Sequence, residues 1–438
     1  MRILLVSTYE LGHQPLHLAS PAARLRGEGH EVQTVDLSLE GSAIKAGWPE
    51  AIAYSVPMHT ALRLAIQSAI ELRTLDPDLP IAFYGLYAGM GGEELEISQL
   101  VGEYETLLVE WSSGLTPRTH TDISQQKFLV PDRTGLSPLS SYAHLAGDVM
   151  ERQVGYVEAS HGCRHRCRHC PIPAVYDGRY RITGHGNVMA DIDQQVLAGA
   201  EHITFGDPDF LNAPRYSMDV LRAAHRKYPD LTFDVTVKVS HILDHRHLWP
   251  ELASLGVVMV VSAFETTNDR ILKILDKGHS AAEMGAAVKV VRGAGIELRP
   301  SWLPFTPWTE PGDLAEILDF LDMHDLLDAV DPVQLSVRLL VPRGSLLADR
   351  PEMSAFDAAR LSYTWFSPYP GVEEMQSQIA RLAEDGIGRP HLETIERIWV
   401  SAMTRPFPSV LDRGRLRLSE PWFCCSEPTQ HQLVSIRS

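Results

Sequence analysis

The stretch ASHGCRHRCRHCPIPAVY, residues 159–176, holds three of the five cysteines in this 438-residue chain, at Cys163, Cys167 and Cys170. Thiolates are soft ligands that suit zinc, copper(I) or iron–sulfur clusters. A structural zinc site usually takes four ligands from paired C-x2-C knuckles. Here the spacing is C-x3-C-x2-C, and no second pair follows nearby. Three thiolates on a four-iron cluster leave one iron open, as a cluster needs if a cosubstrate is to bind it.

An alternative interpretation of the same stretch is a zinc or purely structural cysteine site. Its fourth ligand would be His161, His165 or His169, which lie between or beside the cysteines. Disulfides are not expected, because five cysteines in a long cytosolic chain favour metal binding or catalysis.

Length and composition limit the class of protein. A chain of 438 residues with 44% hydrophobic residues predicts two domains and a tail. The net charge of −17 argues against nucleic-acid binding through a large basic surface. We find no signal peptide and no apolar run of the roughly 18 residues that cross a bilayer. A soluble, cytoplasmic protein without membrane contacts is therefore predicted.

Residues 1–125 alternate short apolar runs with amphipathic stretches, which predicts a doubly wound, mainly parallel α/β domain. The predicted strands are RILLVST (2–8), HEVQTVDLS (30–38), AIAYSVPM (51–58), PIAFYGLY (80–87) and ETLLVEW (105–111). The predicted helices are PLHLASPAARLRGEG (15–29) and TALRLAIQSAIELRTL (60–75).

A linker over residues 126–150 is marked by the turn formers of LVPDRTGLSPLSSYAHLAG (129–147). About six βα units follow in residues 151–348 and predict a partial (β/α) barrel, whose chemistry would sit at the carboxyl ends of the strands. The last region, residues 349–438, is predicted to be helical and to end in an irregular tail. The predicted barrel strands are QVGYVEAS (153–160), HITFGDPDF (202–210), TFDVTVKVS (232–240), GVVMVVSAFE (256–265), GIELRPSWLPF (295–305) and PVQLSVRLLVP (332–342).

The three cysteines, placed after a predicted strand and before PIPAVYDGRYR, resemble the cluster motif of the radical S-adenosylmethionine (SAM) superfamily. The resemblance implies a [4Fe–4S] cluster on Cys163, Cys167 and Cys170 with SAM on the open iron, reduced by a reductase or by a flavodoxin or ferredoxin. One departure is His169, at a position that is often aromatic in the family.

The same resemblance implies where SAM binds. Gly206 and Asp207 follow the second barrel strand, where the family presents groups to the methionyl amine. Thr236, Lys238 and Ser240 alternate along the next strand toward the ribose or the carboxylate. In VSAFETTNDRILKILDKGHS, Glu265 precedes a helix that ends in Lys-Gly, as in the family's fourth-strand segment. Arg299 is the candidate for the SAM carboxylate. For each of the four charged residues the alternative is packing or an ion pair at the barrel mouth.

The N-terminal domain resembles the cobalamin-binding domains that precede some radical SAM barrels. The shared features are a strand, a polar loop, a helix with AARLRGEGH and a second strand. The Asp-x-His-x-x-Gly loop that supplies an imidazole to cobalt is missing, and His13 and His17 stand at other spacings. Members without the histidine also bind the corrin, so the sequence leaves cobalamin binding open.

Two adjacent cysteines, Cys424 and Cys425, stand in the tail sequence EPWFCCSEP. A disulfide between neighbours is strained, whereas two free thiols suit one soft atom such as copper(I), mercury(II) or arsenic(III). The alternative is that both are buried as small apolar side chains. With VPDRTGLSPLSSYAHL and GCRHRCRHCPIPAVYDGRYR, this tail resembles a radical SAM group that ends in Cys-Cys-Ala-Glu-Pro or its selenocysteine form, with Ser426 in place of alanine.

That group includes the radical SAM proteins of arsinothricin biosynthesis. The resemblance implies transfer of the 3-amino-3-carboxypropyl group of SAM to trivalent arsenic held by Cys424 and Cys425, with arsenite as the small-molecule substrate. The alternative function is a cobalamin-dependent radical SAM methyltransferase that acts on a carbon substrate.

Overall fold

The computed structural model describes residues 1–41, 44, 47–115, 117–147 and 151–420. Cys424 and Cys425, the catalytic residues predicted in the tail, lie outside these residues. Among the described residues, no helix has the length and apolarity needed to cross a membrane.

The N-terminal sheet is parallel and has the strand order β2-β1-β3-β4-β5-β6. Its central strands are buried on both faces, as the apolar runs at β3 and β4 require. The strands are β1 (Arg2–Ser7), β2 (Glu31–Asp36), β3 (Ala51–Ser55), β4 (Ile81–Gly85), β5 (Ser98–Gly102) and β6 (Thr119–Asp122). The helices of this region are α1 (Leu16–Gly27), α2 (Leu37–Glu40), α3 (His59–Leu75) and α4 (Tyr104–Gly114).

The run ETLLVEW is helical, so its predicted assignment as a strand is wrong. It lies inside α4, where Leu107, Leu108 and Trp111 are buried. Their i, i+1, i+4 spacing places them on one helical face, which packs with α1. The strand of this region is β5, immediately before the helix.

The second sheet has the order β14-β13-β12-β11-β8-β7-β17. Strands β8 and β11 to β14 are parallel, whereas β7 and β17 pair antiparallel at one edge. Two further pairs, β9 with β10 and β15 with β16, form separate two-stranded sheets. The strands that follow β6 along the chain are β7 (His144–Ala146), β8 (Arg152–Val157), β9 (Ser160–Gly162), β10 (Tyr180–Ile182), β11 (His202–Phe205), β12 (Thr232–Thr236), β13 (Val257–Glu265), β14 (Glu297–Trp302), β15 (Phe356–Asp357), β16 (Ser362–Tyr363) and β17 (Arg417–Leu418). The helices are α5 (Ile172–Tyr176), α6 (His185–Leu197), α7 (Pro214–Lys227), α8 (Val239–Asp244), α9 (Trp249–Ser254), α10 (Asp269–Ile274), α11 (Ala281–Gly293), α12 (Asp313–Met323), α13 (Val372–Asp385) and α14 (His391–Ala402).

The sixth predicted barrel strand, PVQLSVRLLVP, does not join the sheet as a strand. It begins as a 3-10 helix over Pro332–Ser336 and makes a single parallel bridge, from Arg338 to Phe305. Proline suits the first turn of a helix and cannot donate to a strand ladder. The sheet therefore ends at β14, and the barrel is partial, as predicted. Helices α13 and α14 pack against the Pro332–Ser336 turn.

Candidate active site

A cavity of about 380 Å³ lies where the carboxyl ends of both sets of parallel strands meet. From the N-terminal sheet it is lined by the segments that follow β1, β3 and β4, including Glu10, Pro57 and Leu86. From the second sheet it is lined by residues at the ends of β8, β11, β12, β13 and β14. Its volume is within the usual range of roughly 300–1,000 Å³ for small-molecule sites.

The three cysteines of the motif line this cavity together. Their loop connects β9 to β10, which pair antiparallel, and it is fixed by the hydrogen bond that Cys163 N donates to Arg179 O over 3.1 Å. Cys163 and Cys167 are buried, and Cys170 is partly buried. Burial, with Asp209 nearby, raises the pKa of Cys163 to about 11, so metal binding there must displace a proton. Three thiols converging at a ligand-sized cavity fit a cluster held by three residues.

The histidines of the motif each face a carboxylate. His161 Nδ1 lies 3.0 Å from Glu103 Oε2, and His169 Nε2 lies 3.0 Å from Glu265 Oε1. His165 Nε2 lies 3.3 Å from Asp209 Oδ2. The contacts of His161 and His169 give these rings carboxylate partners in place of a metal shared with the cysteines, which disfavours a zinc site completed by either of them.

A buried lysine, Lys277, sits beside the thiols and was not among the predicted site residues. Its Nζ donates to Glu265 Oε1 over 2.9 Å, and its side chain is 5% exposed. Burial opposes its charge, but attraction by Glu265 and by the thiolates of Cys167 and Cys170 raises its pKa above the ordinary value. The Lys-Gly that ends the segment after Glu265 was the sequence signal that could have identified it.

Replacing Lys277 with methionine is expected to lower the midpoint potential of the bound cluster by roughly 50–100 mV, because a nearby positive charge stabilises the added electron. The measurement is a redox titration followed by electron paramagnetic resonance of the reduced cluster. Lys273→Met, at an exposed position of α10, is the matched control and should leave the potential within about 15 mV of the parent value. Equal potentials in Lys277→Met and the parent would contradict the expectation.

Gly206 and Asp207 lie at the end of β11 and line the cavity. A Cβ atom at Gly206 would collide with the hydroxyl of Tyr156, which explains the glycine. Asp207 accepts hydrogen bonds from Ser160 Oγ at 2.5 Å and Ala159 N at 2.9 Å. Burial raises the pKa of Asp207 to about 7. Asp207 thus holds the strand that leads into the cysteine loop as well as facing the cavity.

The structure separates the three residues that were expected to alternate along one strand. Thr236 and Lys238 line the cavity, and Thr236 is the last residue of β12. Ser240 lies instead in the first turn of α8, outside the cavity wall formed by the described residues. The expectation for Ser240 is corrected, because a two-residue period applies only while the strand continues.

Glu265 and Arg299 also line the cavity, and both have ionic partners. Glu265 adopts a left-handed φ of 68° at the end of β13, where the register with β14 shifts. Arg299 donates to Asp331 Oδ2 over 2.7 Å and to Leu416 O over 3.3 Å. Arg299 therefore has an ion-pair partner at the cavity wall, and its role toward the SAM carboxylate stays a prediction.

A chain of buried carboxylates and histidines joins the two sheets at the cavity, and the sequence did not reveal it. His17 lies 2.9 Å from Glu10 and 3.7 Å from Glu158. Glu158 in turn lies 3.2 Å from His161, which contacts Glu103. Burial opposes the charge on His17, but Glu10 and Glu158 raise its pKa to about 9. His17 is therefore positively charged at neutral pH.

The histidines considered for cobalt are both engaged in the structure. His13 is buried and its ring packs on Tyr156 with a centroid separation of 4.7 Å. Burial lowers the pKa of His13 to about 4. Both ring nitrogens of His17 face carboxylates. These contacts do not fit an imidazole ligand to cobalt from this loop.

The cysteine loop and the strands around the cavity match a known family. Residues 157–320 match the radical SAM superfamily. The chain contains a radical SAM domain. The protein is accordingly an enzyme, and the domain implies a [4Fe–4S] cluster and SAM. A search of curated proteins found no match to the chain.

Two of the solved structures that resemble the chain do so over most of its length. One is OxsB, a cobalamin-dependent SAM radical enzyme with aqua-cobalamin and SAM bound, at 15% identity and a TM-score of 0.67, covering 88% of this chain and 67% of OxsB. The other is TsrM, a radical SAM methyltransferase from Kitasatospora setae with cobalamin and a [4Fe–4S] cluster bound, at 18% identity and a TM-score of 0.55, covering 74% of this chain and 70% of TsrM. The predicted fold class, a doubly wound α/β region followed by a partial radical SAM barrel, is confirmed.

Proposed function

We propose that this radical SAM enzyme transfers the 3-amino-3-carboxypropyl group of SAM to trivalent arsenic held by Cys424 and Cys425. The observation that carries the proposal is the position of Glu420, which lines the same cavity as the cluster cysteines. The cysteine pair follows Glu420 by four and five residues in the sequence.

The segment before the cysteine pair is anchored at the cavity. β17 pairs with β7, and Ser419 N donates to His144 O over 2.9 Å. The hydroxyl of Tyr9, in the loop after β1, donates a hydrogen bond to Glu420 Oε1 over 2.7 Å. Gly12 faces the side chain of Glu420 so closely that a Cβ atom there would lie 2.8 Å from the Cβ of Glu420. Glu420 is thus held in a fixed position at the wall of the cavity that the cluster cysteines line.

Chain geometry allows the thiols to reach the reacting groups. An extended chain spans at most about 3.3–3.6 Å per residue, so four residues cover up to about 14 Å. Glu420 and the three cluster cysteines line the same cavity, so a tail of this length starts at the wall of that cavity. Two adjacent thiolates on one arsenic(III) match a soft atom with soft ligands. The proposal therefore needs no movement of the residues before Glu420.

The cavity also offers charges that suit the methionyl end of SAM. Lys238 follows β12 at the cavity wall and suits a carboxylate. Asp207 and Glu158 face the same space and suit an ammonium group. When bound on Cys163, Cys167 and Cys170, the cluster supplies the electron that cleaves a carbon–sulfur bond of SAM. The protein's own residues orient SAM and hold the acceptor beside it.

The deciding experiment is mass spectrometry of the products formed by anaerobically reconstituted, reduced enzyme with SAM, with and without arsenite. We expect arsenite-dependent 5′-methylthioadenosine and an amino acid that contains arsenic. Formation of 5′-deoxyadenosine alone, at the same rate with and without arsenite, would refute the proposal.

The role of the tail thiols is tested separately by Cys424→Ala. We expect SAM cleavage to stay within about twofold of the parent, while the arsenic product falls by about 100-fold or more because its acceptor is no longer held. Ser426→Ala is the matched control, since it changes the same segment to the alanine of the related tails and should leave product yield intact. An unchanged yield in Cys424→Ala would exclude the thiols as arsenic ligands.

The second candidate is a cobalamin-dependent methyltransferase, favoured by the likeness to OxsB and TsrM. It would require a corrin at the cavity, whose wall carries Glu10, His17 and Glu158 of the ionic chain. Copurified corrin, together with arsenite-independent methyl transfer to a carbon substrate, would select this candidate over the first.

A further inference from the structure

A second group of ligand-type side chains lies beside the cysteine loop and takes no part in the proposed reaction. His165 belongs to the loop itself, Asp209 follows β11, and His241 lies on α8. One ligand atom from each side chain lies within 4.8 Å of those of the other two. Three separate segments of the chain thus bring two imidazoles and one carboxylate together.

The three converging atoms are shielded from water and have no hydrogen-bond partner among the described residues. They are His165 Nε2, Asp209 Oδ2 and His241 Nδ1. Asp209 Oδ2 lies 3.3 Å from the first nitrogen and 2.7 Å from the second, within ion-pair distance of both. A buried polar atom without a hydrogen-bond partner destabilises the folded state. One cation between these atoms would satisfy all three.

The carboxylate is held in a fixed orientation. Asp209 is 2% exposed, and its other oxygen, Oδ1, accepts a hydrogen bond from Leu211 N over 3.2 Å. The rings of His165 and His241 pack at a centroid separation of 4.6 Å. An oriented carboxylate beside two imidazoles is an arrangement that binds a metal ion.

The donor set identifies the class of ion. Imidazole nitrogens with a carboxylate suit zinc or iron(II), and two histidines with one carboxylate leave coordination positions open. Ligand atoms about 2.1 Å from one metal lie about 3.0–3.4 Å apart; the separation of Asp209 from His165, 3.3 Å, lies in this range, and that from His241, 2.7 Å, is shorter. We propose that His165, Asp209 and His241 bind one divalent transition-metal ion, Zn²⁺ or Fe²⁺, next to the three-cysteine site. Because His165 and Asp209 line the cavity, the ion would stand at its edge.

The test loads full-length, cluster-reconstituted protein with Zn²⁺ and measures zinc, iron and acid-labile sulfide per chain after desalting. The parent for this test is Cys424→Ser/Cys425→Ser, which removes the tail thiols as competing zinc ligands. We expect about one zinc per chain, with sulfide at about four per chain to show that the cluster is intact. In the same protein loaded with Fe²⁺, iron should exceed sulfide by about one per chain.

His241→Ala should weaken zinc binding by about 100-fold or more while sulfide is retained. His245→Ala is the matched control, because its ring lies 5.5 Å from that of His241 and it is not one of the three ligands. Zinc bound equally by His241→Ala and the parent would overturn the proposal. X-ray absorption of the zinc-loaded parent gives an independent test that needs no variant: a shell of nitrogen and oxygen supports the site, whereas sulfur ligands or no bound zinc refute it.

Discussion

Replacing Cys163 with alanine is expected to abolish SAM cleavage, with a fall of about 1,000-fold or more to background. The thiol lines the cavity with Cys167 and Cys170 and is buried against Asp209 and Asn212. Among the described residues, the other cysteines are Cys167 and Cys170, which already line the site. Without Cys163, the cluster would therefore lack one of its three protein ligands. The measurement is 5′-methylthioadenosine and 5′-deoxyadenosine formation, alongside iron, sulfide and visible absorbance.

The matched control for Cys163→Ala is Arg166→Ala in the same loop. Arg166 has a side chain that is 58% exposed and pairs with Asp177 at the surface. Removing an exposed ion pair costs at most about 1 kcal/mol, so cluster content and SAM cleavage should both persist. Substantial SAM cleavage by Cys163→Ala, at parental iron and sulfide content, would contradict the assignment of this cysteine to the cluster.

Replacing Arg133 with methionine is expected to lower the free energy of unfolding by about 3–5 kcal/mol, since it leaves a buried charge without its partner. The Arg133 side chain is 8% exposed and forms a two-point ion pair with Asp191, at 2.7 and 2.8 Å. It also donates to Gln14 Oε1 and to Tyr156 O. This one guanidinium therefore joins the N-terminal loop, the segment between the sheets and the barrel.

Urea unfolding followed by tryptophan fluorescence measures the effect. Arg26→Met is the matched control. Arg26 pairs with Asp132, the residue before Arg133, but both side chains of this pair are about 30% exposed. Loss of the Arg26–Asp132 pair should therefore lower the free energy of unfolding by at most about 1 kcal/mol. The double variant Arg133→Met/Asp191→Leu should recover part of the stability by removing the orphaned carboxylate. Equal unfolding midpoints for Arg133→Met and Arg26→Met would show that the buried pair contributes little.

The cysteine site could be predicted from sequence because its geometry is local. The cysteines lie within eight residues, on a loop whose ends are held by one hairpin. Strands β1, β3 and β4 could also be predicted from sequence, because strands buried on both faces are continuously apolar.

Errors arose where a short apolar run fits more than one structure. ETLLVEW became a helix because its buried side chains meet α1, a contact that the run itself does not encode. Ser240 left the cavity because β12 ends at Thr236 and a helix begins three residues later. Both outcomes depend on neighbours distant in sequence.

The ionic chain at the cavity could not be predicted from sequence, because its residues are distant from one another along the chain. Glu10 follows β1, Glu103 follows β5 and Glu158 follows β8. They become neighbours only when the two sheets pack. His165 was considered as a ligand beside the cysteines, but its actual neighbours Asp209 and His241 come from later βα units. Sequence spacing identifies ligands on one loop and not those gathered from several.

The pairing of β17 with β7 imposes an order on biosynthesis. His144 and Ser419, which hydrogen-bond beside this pairing, are 275 positions apart, so the edge of β7 stays open on the ribosome until the last part of the sheet-forming chain has emerged. Domains tend to fold as they are synthesised, and an unpaired edge invites association with other chains. Translation that stops before residue 417 would release a protein with its cysteine loop complete and its sheet edge exposed. The tail cysteines are thus made after the cavity that they are proposed to serve.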